Sequence, residues 1–388
     1  MLVASAALAL ATLIVAMCHT PAPPPDPEAE AHYRIAAAQA TGAARDFLAW
    51  LETATERMAP DRFAALVDEA RRLHNGPMDA ARAQLAAHPP PTEMQSLAAS
   101  VHDGFAHADA SFQHITAIDG GPFMEVIGEL LTAWHHAARA QEIFFAARTQ
   151  LPAFAGFWLL PGATELNLPA QDQPADSAAQ TGILHLDPAG HHGGFSVFVP
   201  ETYTADHAWP VIVALHGASG NGRDFLWTWV REANSLGYLL VAPTSVDNTW
   251  SEVEDLGLLE IIAWLSQRYR VDNHRILLTG LSDGGTFTLI YGLAHPDVYR
   301  ALAPLCGVLH PANAPLGNLG RARGVPIYLV HGAQDFLFPV AYARLTRDTL
   351  LSAGAALEYR ELPELSHTYP RSENVRILRW FDALAQDR

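Results

Sequence analysis

The hydrophobic positions of the first part of the chain follow a helical spacing. From about residue 28 to residue 160, apolar residues recur three and four positions apart among many alanines, as in the run from Met124 to Trp134. This spacing puts the apolar side chains on one side of a helix. Residues 88–91 read His-Pro-Pro-Pro, and such a run of prolines breaks a helix because proline lacks the backbone N–H and its ring clashes with the preceding turn. The pattern therefore predicts an all-helical segment built from several helices.

The second part of the chain alternates short apolar runs with helical segments. Residues 211–215 form a continuous apolar run, which is typical of a strand buried on both faces. Similar runs follow at residues 238–242, 275–279, 301–305, 327–330 and 357–362. Helical patterns at residues 256–269 and 340–351 separate some of them, and residues 182–186 and 194–199 precede them as a predicted hairpin. Such alternation predicts a mostly parallel sheet with helices on both faces.

The two patterns and the N-terminal leader define three predicted regions. Residues 1–27 are a leader with a proline-rich tether, residues 28–170 a helical domain, and residues 180–388 an α/β domain. The leader carries no charge over residues 1–17, as the apolar core of a secretory signal does, but it lacks the usual basic residues. Residues 15–18 resemble a lipoprotein cleavage site at Cys18, although Met17 stands where a small residue is usual.

We therefore expect export, as a periplasmic, lipid-anchored or secreted protein, with a possible membrane tether at the N-terminus. The alternatives are an uncleaved anchor, a buried helix, and cytoplasmic residence.

Composition excludes one class of binding partner. The formal net charge of −17 at pH 7 argues against nucleic acid, because phosphate binding needs clustered lysine and arginine. The two cysteines, Cys18 and Cys306, define neither a disulfide framework nor a zinc spacing. Cys306 stands in an apolar run and is predicted to be a small buried side chain.

The six residues from Gly280 to Gly285 read Gly-Leu-Ser-Asp-Gly-Gly and contain a G-x-S-x-G motif. The motif follows the strand pattern at residues 275–279 and precedes a helical pattern. This placement is the signature of a nucleophile elbow, a turn so sharp that the serine backbone is strained and small neighbours are needed. Ser282 is therefore a candidate nucleophile at the carboxyl edge of the sheet. The alternative is an ordinary turn serine.

A serine nucleophile needs a base and hydrogen-bond donors that stabilise the oxyanion. The glycine-rich residues 216–222 follow a predicted strand, and the candidate donors are the backbone N–H groups of Ala218 and Asp283. Asp335 follows the strand at residues 327–330, and His367 follows the last predicted strand. The chain order of serine, acid and histidine, each after its own strand, is that of α/β-hydrolases. For Asp335 and His367 the alternatives are a solvated loop carboxylate and a surface histidine.

Residues 182–385 resemble an α/β-hydrolase of the carboxylesterase and phospholipase type, close to polyhydroxybutyrate-depolymerase-like esterases. The matching segments are His216-Gly217, residues 280–285, residues 331–335 with Pro339, and Ser366-His367. The resemblance implies an α/β-hydrolase fold and an acyl-enzyme on Ser282, with His367 as base and Asp335 as its orienting acid. It implies a small-molecule or lipid-like ester as substrate, with no metal or organic cofactor.

Two departures from the family pattern leave substrate preference open. Asp283 puts a carboxylate beside the nucleophile, where many relatives carry a neutral residue, and Phe338 stands where a smaller aliphatic residue is common. Trp250 and Phe338 are the candidate substrate-binding residues, whereas Trp227 and Trp229 are predicted to be core. An acyltransferase on the same fold and a non-catalytic binding protein of hydrolase shape are the alternative functions.

Several histidines lie outside the predicted site. His216 and His331 are predicted to orient turns through hydrogen bonds to the backbone. The pairs His135-His136 and His191-His192 are not predicted to bind metal, because adjacent histidines on a helix point apart and no partner spacing is evident.

Overall fold

The computed structural model describes residues 26–118, 120–163, 179–186, 193–251 and 255–386. The apolar leader with Cys18 and the pair His191-His192 lie outside these ranges, so export and a membrane tether stay predictions. Within the ranges, no helix combines the length and the apolar character needed to cross a bilayer.

Four long helices form the N-terminal region. They are α1 (Pro27–Arg57), α2 (Phe63–Ala87), α3 (Gln95–Ala117) and α4 (Phe123–Ala147). Asp26 is the N-cap of α1, because its carboxylate accepts hydrogen bonds from the N–H groups of Glu28 and Ala29. Helix α2 ends just before the proline-rich break at residues 88–91, as the sequence predicts. Alanine-rich faces let these helices pack closely, and large side chains such as Phe47 and Phe144 fill the centre.

Eight strands form one sheet after the helical region. They are β1 (Gly182–Leu186), β2 (Phe195–Val199), β3 (Trp209–Leu215), β4 (Leu239–Pro243), β5 (Val271–Leu281), β6 (Ala301–Leu305), β7 (Pro326–Gly332) and β8 (Ala356–Leu362). Their order in the sheet is β1-β2-β4-β3-β5-β6-β7-β8. The predicted hairpin β1–β2 is antiparallel, β2 joins β4 antiparallel, and all other pairs are parallel.

Helices follow the strands and cover both faces of the sheet. They are α5 (Gly222–Phe225), α6 (Val230–Leu236), α7 (Asp255–Arg268), α8 (Asp283–Ala294), α9 (Asn318–Arg321), α10 (Val340–Ser352) and α11 (Asn374–Gln386). Parallel strands joined in this way end at the same edge of the sheet, where the loops after β3, β5, β7 and β8 meet. The mostly parallel sheet with flanking helices, preceded by a helical region, confirms the predicted fold class.

Alternate residues of the central strands enter two apolar cores. Ile212 and Ala214 of β3 join a core that also contains the interior of α1–α4, while Val211 and Val213 join the core on the opposite face. The helical region and one face of the sheet therefore share a continuous core. The domain limits 28–170 and 180–388 stay a prediction.

Candidate active site

Ser282 lies on the sharp turn between β5 and α8. Its backbone has φ 56° and ψ −114°, a left-handed conformation that favours glycine over residues with a Cβ atom. The turn is held because the Ser282 N–H donates to the carbonyl of Leu305 at 2.8 Å. Close packing also explains why position 284 of the motif is glycine, since a Cβ atom there would lie 2.4 Å from the carbonyl oxygen of His216. The local geometry is that of the strained elbow expected from the sequence.

The structure brings Ser282, Asp335 and His367 together at the carboxyl edge of the sheet. The Nε2 atom of His367 lies 2.7 Å from the Oγ of Ser282, and its Nδ1 atom lies 2.7 Å from the Oδ2 of Asp335. The Asp335 side chain is fully buried and the His367 side chain is 9% exposed. With Nδ1 donating to the carboxylate, Nε2 is left as the acceptor for the serine proton. The three groups can act together as nucleophile, base and orienting acid.

Backbone and imidazole donors hold the Asp335 carboxylate. Its Oδ1 accepts from the N–H groups of Leu337 at 3.0 Å and Phe338 at 2.7 Å, so that the loop folds around the acid. Burial lowers the pKa of His331, which favours the neutral imidazole. Its Nε2 donates to the carbonyl of Phe338 at 2.7 Å and lies 3.3 Å from the Oδ2 of Asp335. His331 therefore orients this turn, as predicted.

The turn after β3 approaches the nucleophile. A Cβ atom added to Gly217 would lie 3.6 Å from the Cβ of Ser282, and the next residue, Ala218, is exposed. Within the described part of the chain, the N–H groups of Ala218 and Asp283 have no acceptor. Asp283 is the first residue of α8, where helical N–H groups lack intrahelical partners and the dipole favours negative charge. Both N–H groups remain the candidate donors of an oxyanion hole.

Trp250, a candidate substrate-binding residue, is buried beside the turn after β3 and the start of α8. It is only 6% exposed, its ring stacks on Phe287 with centroids 5.7 Å apart, and its indole N–H donates to the carbonyl of His216 at 2.8 Å. Its backbone N–H donates to the Oδ2 of Asp283 at 2.9 Å. Trp250 therefore supports the turn after β3 from the core, because its polar groups find partners there. Its contact with substrate stays a prediction.

The carboxylate of Asp283 has a structural partner in this arrangement. It ties the start of α8 to the loop that carries Trp250, which gives a physical reason for an acid beside the nucleophile. His216 holds the same region. Its Nδ1 donates to the carbonyl of Gly217 at 2.7 Å, and its Nε2 accepts from the N–H of Ser245 at 3.1 Å. The predicted structural role of His216 is confirmed.

Phe338 lies beside the imidazole of His367. The two ring centroids are 5.2 Å apart and the ring planes meet at 83°, so that the rings pack edge to face. Phe338 is half-buried and stays a candidate for the substrate-binding wall. Trp227 and Trp229 are buried, as predicted.

Cys306 is buried below the site, and its thiol lies 3.4 Å from the carbonyl of Thr368. Burial raises the pKa of the thiol, which keeps it neutral. The prediction of a small buried side chain is confirmed.

In the described ranges, no histidine, cysteine or acidic side chains are grouped in threes as metal ligands are. His135 instead contacts Asp224, with its Nδ1 2.8 Å from the carboxylate Oδ2.

The helical region contributes contacts that the sequence argument missed. Arg62, between α1 and α2, donates to the side chain of Gln334 and to the carbonyl of Glu364. Phe123, at the start of α4, packs edge to face on Phe336 with centroids 5.5 Å apart. No pattern in the sequence marks these residues, because each lies far along the chain from its partner.

A serine raised on a strand-to-helix turn of a mostly parallel sheet, with a histidine and an acid on later loops, defines an α/β-hydrolase. Residues 244–382 match the family model described as Phospholipase/Carboxylesterase, and this part of the chain is similar to that family of the α/β-hydrolase superfamily.

Curated relatives and solved structures carry similar descriptions. Feruloyl esterase B of Neurospora crassa is 26% identical over 33% of this chain and 47% of its own length. Lysophospholipase-like protein 1 of Mus musculus is 29% identical over 28% of this chain and 47% of its own length. The chain thus spans about half the length of these two relatives. A solved structure of a thermostable esterase matches with a TM-score of 0.45 and 24% identity, over 52% of this chain and 62% of that one.

The homologues are carboxylic ester hydrolases at low identity. The closer resemblance to polyhydroxybutyrate-depolymerase-like esterases stays a prediction.

Proposed function

We propose that this chain is a serine hydrolase that cleaves carboxylic esters through an acyl-enzyme on Ser282. The observation that carries the proposal is the pair of 2.7 Å contacts that join Ser282, His367 and Asp335 in one line. A serine hydroxyl is a poor nucleophile unless a base removes its proton, and this geometry supplies the base. The ester class of the substrate is supported by the family match.

The first half of the reaction forms the acyl-enzyme. His367 takes the proton of the Ser282 hydroxyl at Nε2 as the Oγ atom attacks the ester carbonyl carbon. The tetrahedral oxyanion then accepts hydrogen bonds from the N–H groups of Ala218 and Asp283. Asp335 accepts from Nδ1–H and stabilises the imidazolium. When the intermediate collapses, the carbon–oxygen bond to the alcohol breaks and His367 gives its proton to the leaving alkoxide.

The second half returns the enzyme to its starting state. A water molecule attacks the acyl carbonyl while His367 accepts one of its protons. The second tetrahedral intermediate is stabilised by the same two N–H groups. Its collapse releases the carboxylic acid, and His367 returns the proton to the Oγ of Ser282. No proton or electron is left over, so the reaction needs water alone as the second substrate.

Labelling and turnover test the proposal together. A fluorophosphonate probe should label the folded protein at Ser282, as mapped by peptide mass spectrometry. Ser282→Ala should lose labelling and lower the hydrolysis of 4-nitrophenyl acetate by about 10⁴-fold or more, while circular dichroism stays unchanged. The matched control is Ser352→Ala, which removes an exposed hydroxyl at the end of α10. Turnover that survives in Ser282→Ala would mean that another group is the nucleophile.

A substrate panel then distinguishes the ester classes and the alternative functions. Nitrophenyl esters of graded acyl length test lipid-like substrates, and methyl ferulate tests the aromatic esters suggested by the name of the fungal relative. Added methanol or glycerol separates hydrolysis from acyl transfer, since a transferase would release the new ester in place of the acid. A folded protein that neither labels nor turns over any ester would favour the non-catalytic alternative.

A further inference from the structure

We propose that Arg62 of the helical region is a positioning residue for Asp335 and His367. The proposal rests on the proposed function. The hydrogen bonds of Arg62 run to loop residues and not to Ser282. Its guanidinium instead bridges the acid loop, residues 332–339, and the histidine loop, residues 363–373.

The contacts of Arg62 are short and reach residues close to both catalytic partners. Its Nη2 atom donates to the Oε1 of Gln334 at 2.7 Å and to the carbonyl oxygen of Glu364 at 2.8 Å. Gln334 precedes Asp335 directly, and Glu364 lies three positions before His367. Since one Nη2 carries two N–H groups in a fixed plane, a single guanidinium can fix the separation of the two loops.

Helix α1 holds the other end of the histidine loop. The carboxylate of Glu56 accepts a hydrogen bond from the N–H of Ser372. Glu52, which is 15% exposed, lies 3.7 Å from the Nε of Arg371, and Arg371 also donates to the carbonyl of Thr228 at 3.1 Å. The helical region thus contacts the histidine loop both before and after His367. A loop held at both ends has fewer alternative conformations than a free surface loop.

Small displacements of these loops should affect the reaction strongly. The proton transfers need the 2.7 Å alignment of His367 with both Ser282 and Asp335. A misplacement of about 1 Å can cost about 100-fold in rate. Loss of Arg62 should therefore lower kcat, while KM for a small ester changes little because the hydrogen bonds of Arg62 run to the two loops and not to Ser282.

The test compares Arg62→Ala with Arg57→Ala in the full chain. Arg57 is the matched control, because it lies at the same α1–α2 corner and both of its hydrogen bonds run to Glu69 of α2 at 2.9 Å. With 4-nitrophenyl acetate, we expect Arg62→Ala to lower kcat about 10-fold with KM within about twofold, and Arg57→Ala to leave both near wild type. Arg62→Lys should recover part of kcat, since an ammonium group can still reach one of the two acceptors.

Hydrogen exchange supplies a readout that does not depend on activity. Arg62→Ala should speed amide exchange in residues 332–338 and 363–373 but not in β5, whereas Arg57→Ala should leave both loops unchanged. If Arg62→Ala does not fold, Gln334→Ala removes one acceptor from an exposed position and should speed exchange in the acid loop.

The outcomes separate the two proposals. A folded wild type without ester hydrolysis would overturn the proposed function. Unchanged loop exchange in Arg62→Ala, or equal losses of kcat in Arg62→Ala and Arg57→Ala, would overturn the positioning role.

Discussion

The backbone strain at Ser282 can be measured by comparing two substitutions at the same position. Ser282 has φ 56°, so any residue with a Cβ atom is strained there, while glycine is not. Ser282→Ala keeps the Cβ atom, and Ser282→Gly removes it. Both variants lose the hydroxyl and its contact with His367, so this loss cancels in the comparison. The difference between the two free energies of unfolding therefore reports the backbone.

Two opposing contributions set the size of this difference. Relief of the strained conformation favours glycine by about 1–3 kcal/mol. The larger conformational freedom of glycine in the unfolded chain opposes this by about 0.5–1 kcal/mol. We therefore expect Ser282→Gly to be more stable than Ser282→Ala by about 1 kcal/mol. At an ordinary helical position the same comparison has the opposite sign.

Urea unfolding at pH 7, followed by tryptophan fluorescence and circular dichroism, measures the difference. The control is Ala99→Gly on α3, an exposed helical position where glycine should cost about 1 kcal/mol. If Ser282→Gly unfolds at a lower urea concentration than Ser282→Ala, the strain argument is refuted. Equal m-values in the two variants are needed for the comparison to hold.

Two further predictions concern the elbow and the interface with the helical region. Gly284→Ala should lower fluorophosphonate labelling and reduce the free energy of unfolding by about 1–3 kcal/mol, because the added Cβ would lie 2.4 Å from the carbonyl oxygen of His216, a backbone atom that cannot rotate away. The control is Gly257→Ala, where an added Cβ would meet no atom within 4 Å, and it should change neither quantity. Normal labelling of Gly284→Ala would contradict the packing argument. Burial alone would raise the pKa of Glu142, but its contacts with His185, Arg223 and Arg139 lower that pKa from 4.5 to about 2. A depressed folded pKa means that this stabilisation is complete above about pH 4.5 and is lost as the pH falls toward 2. Glu142→Gln should therefore lower the free energy of unfolding at pH 7, by at most about 3 kcal/mol, and flatten its fall between pH 5 and 2. The control is Glu30→Gln, which removes an exposed ion pair with Arg34. An unchanged dependence of stability on acid pH in Glu142→Gln would contradict the stabilising role given to the Glu142 carboxylate.

The sequence by itself determined the fold class and the order of the candidate catalytic groups. Periodicity is a local property, so the alternation of strands and helices could be read without coordinates. Parallel strands joined by helices must end at one edge, and this placed Ser282, Asp335 and His367 together before any distance was known. The elbow could be predicted as well, because strain at a sharp turn demands small neighbours that the sequence displays.

Tertiary structure alone decided the surroundings of these groups. Whether Trp250 faces a cleft or the core depends on which neighbours it meets, and its partners His216 and Phe287 lie on other elements. Arg62 reaches Gln334 and Glu364 across 272 and 302 positions of the chain. Contacts at such separations leave no local pattern, because one side of each is an ordinary surface position on its own helix or loop. The contacts of the helical region with the loops that carry Asp335 and His367 therefore became visible only in the folded chain.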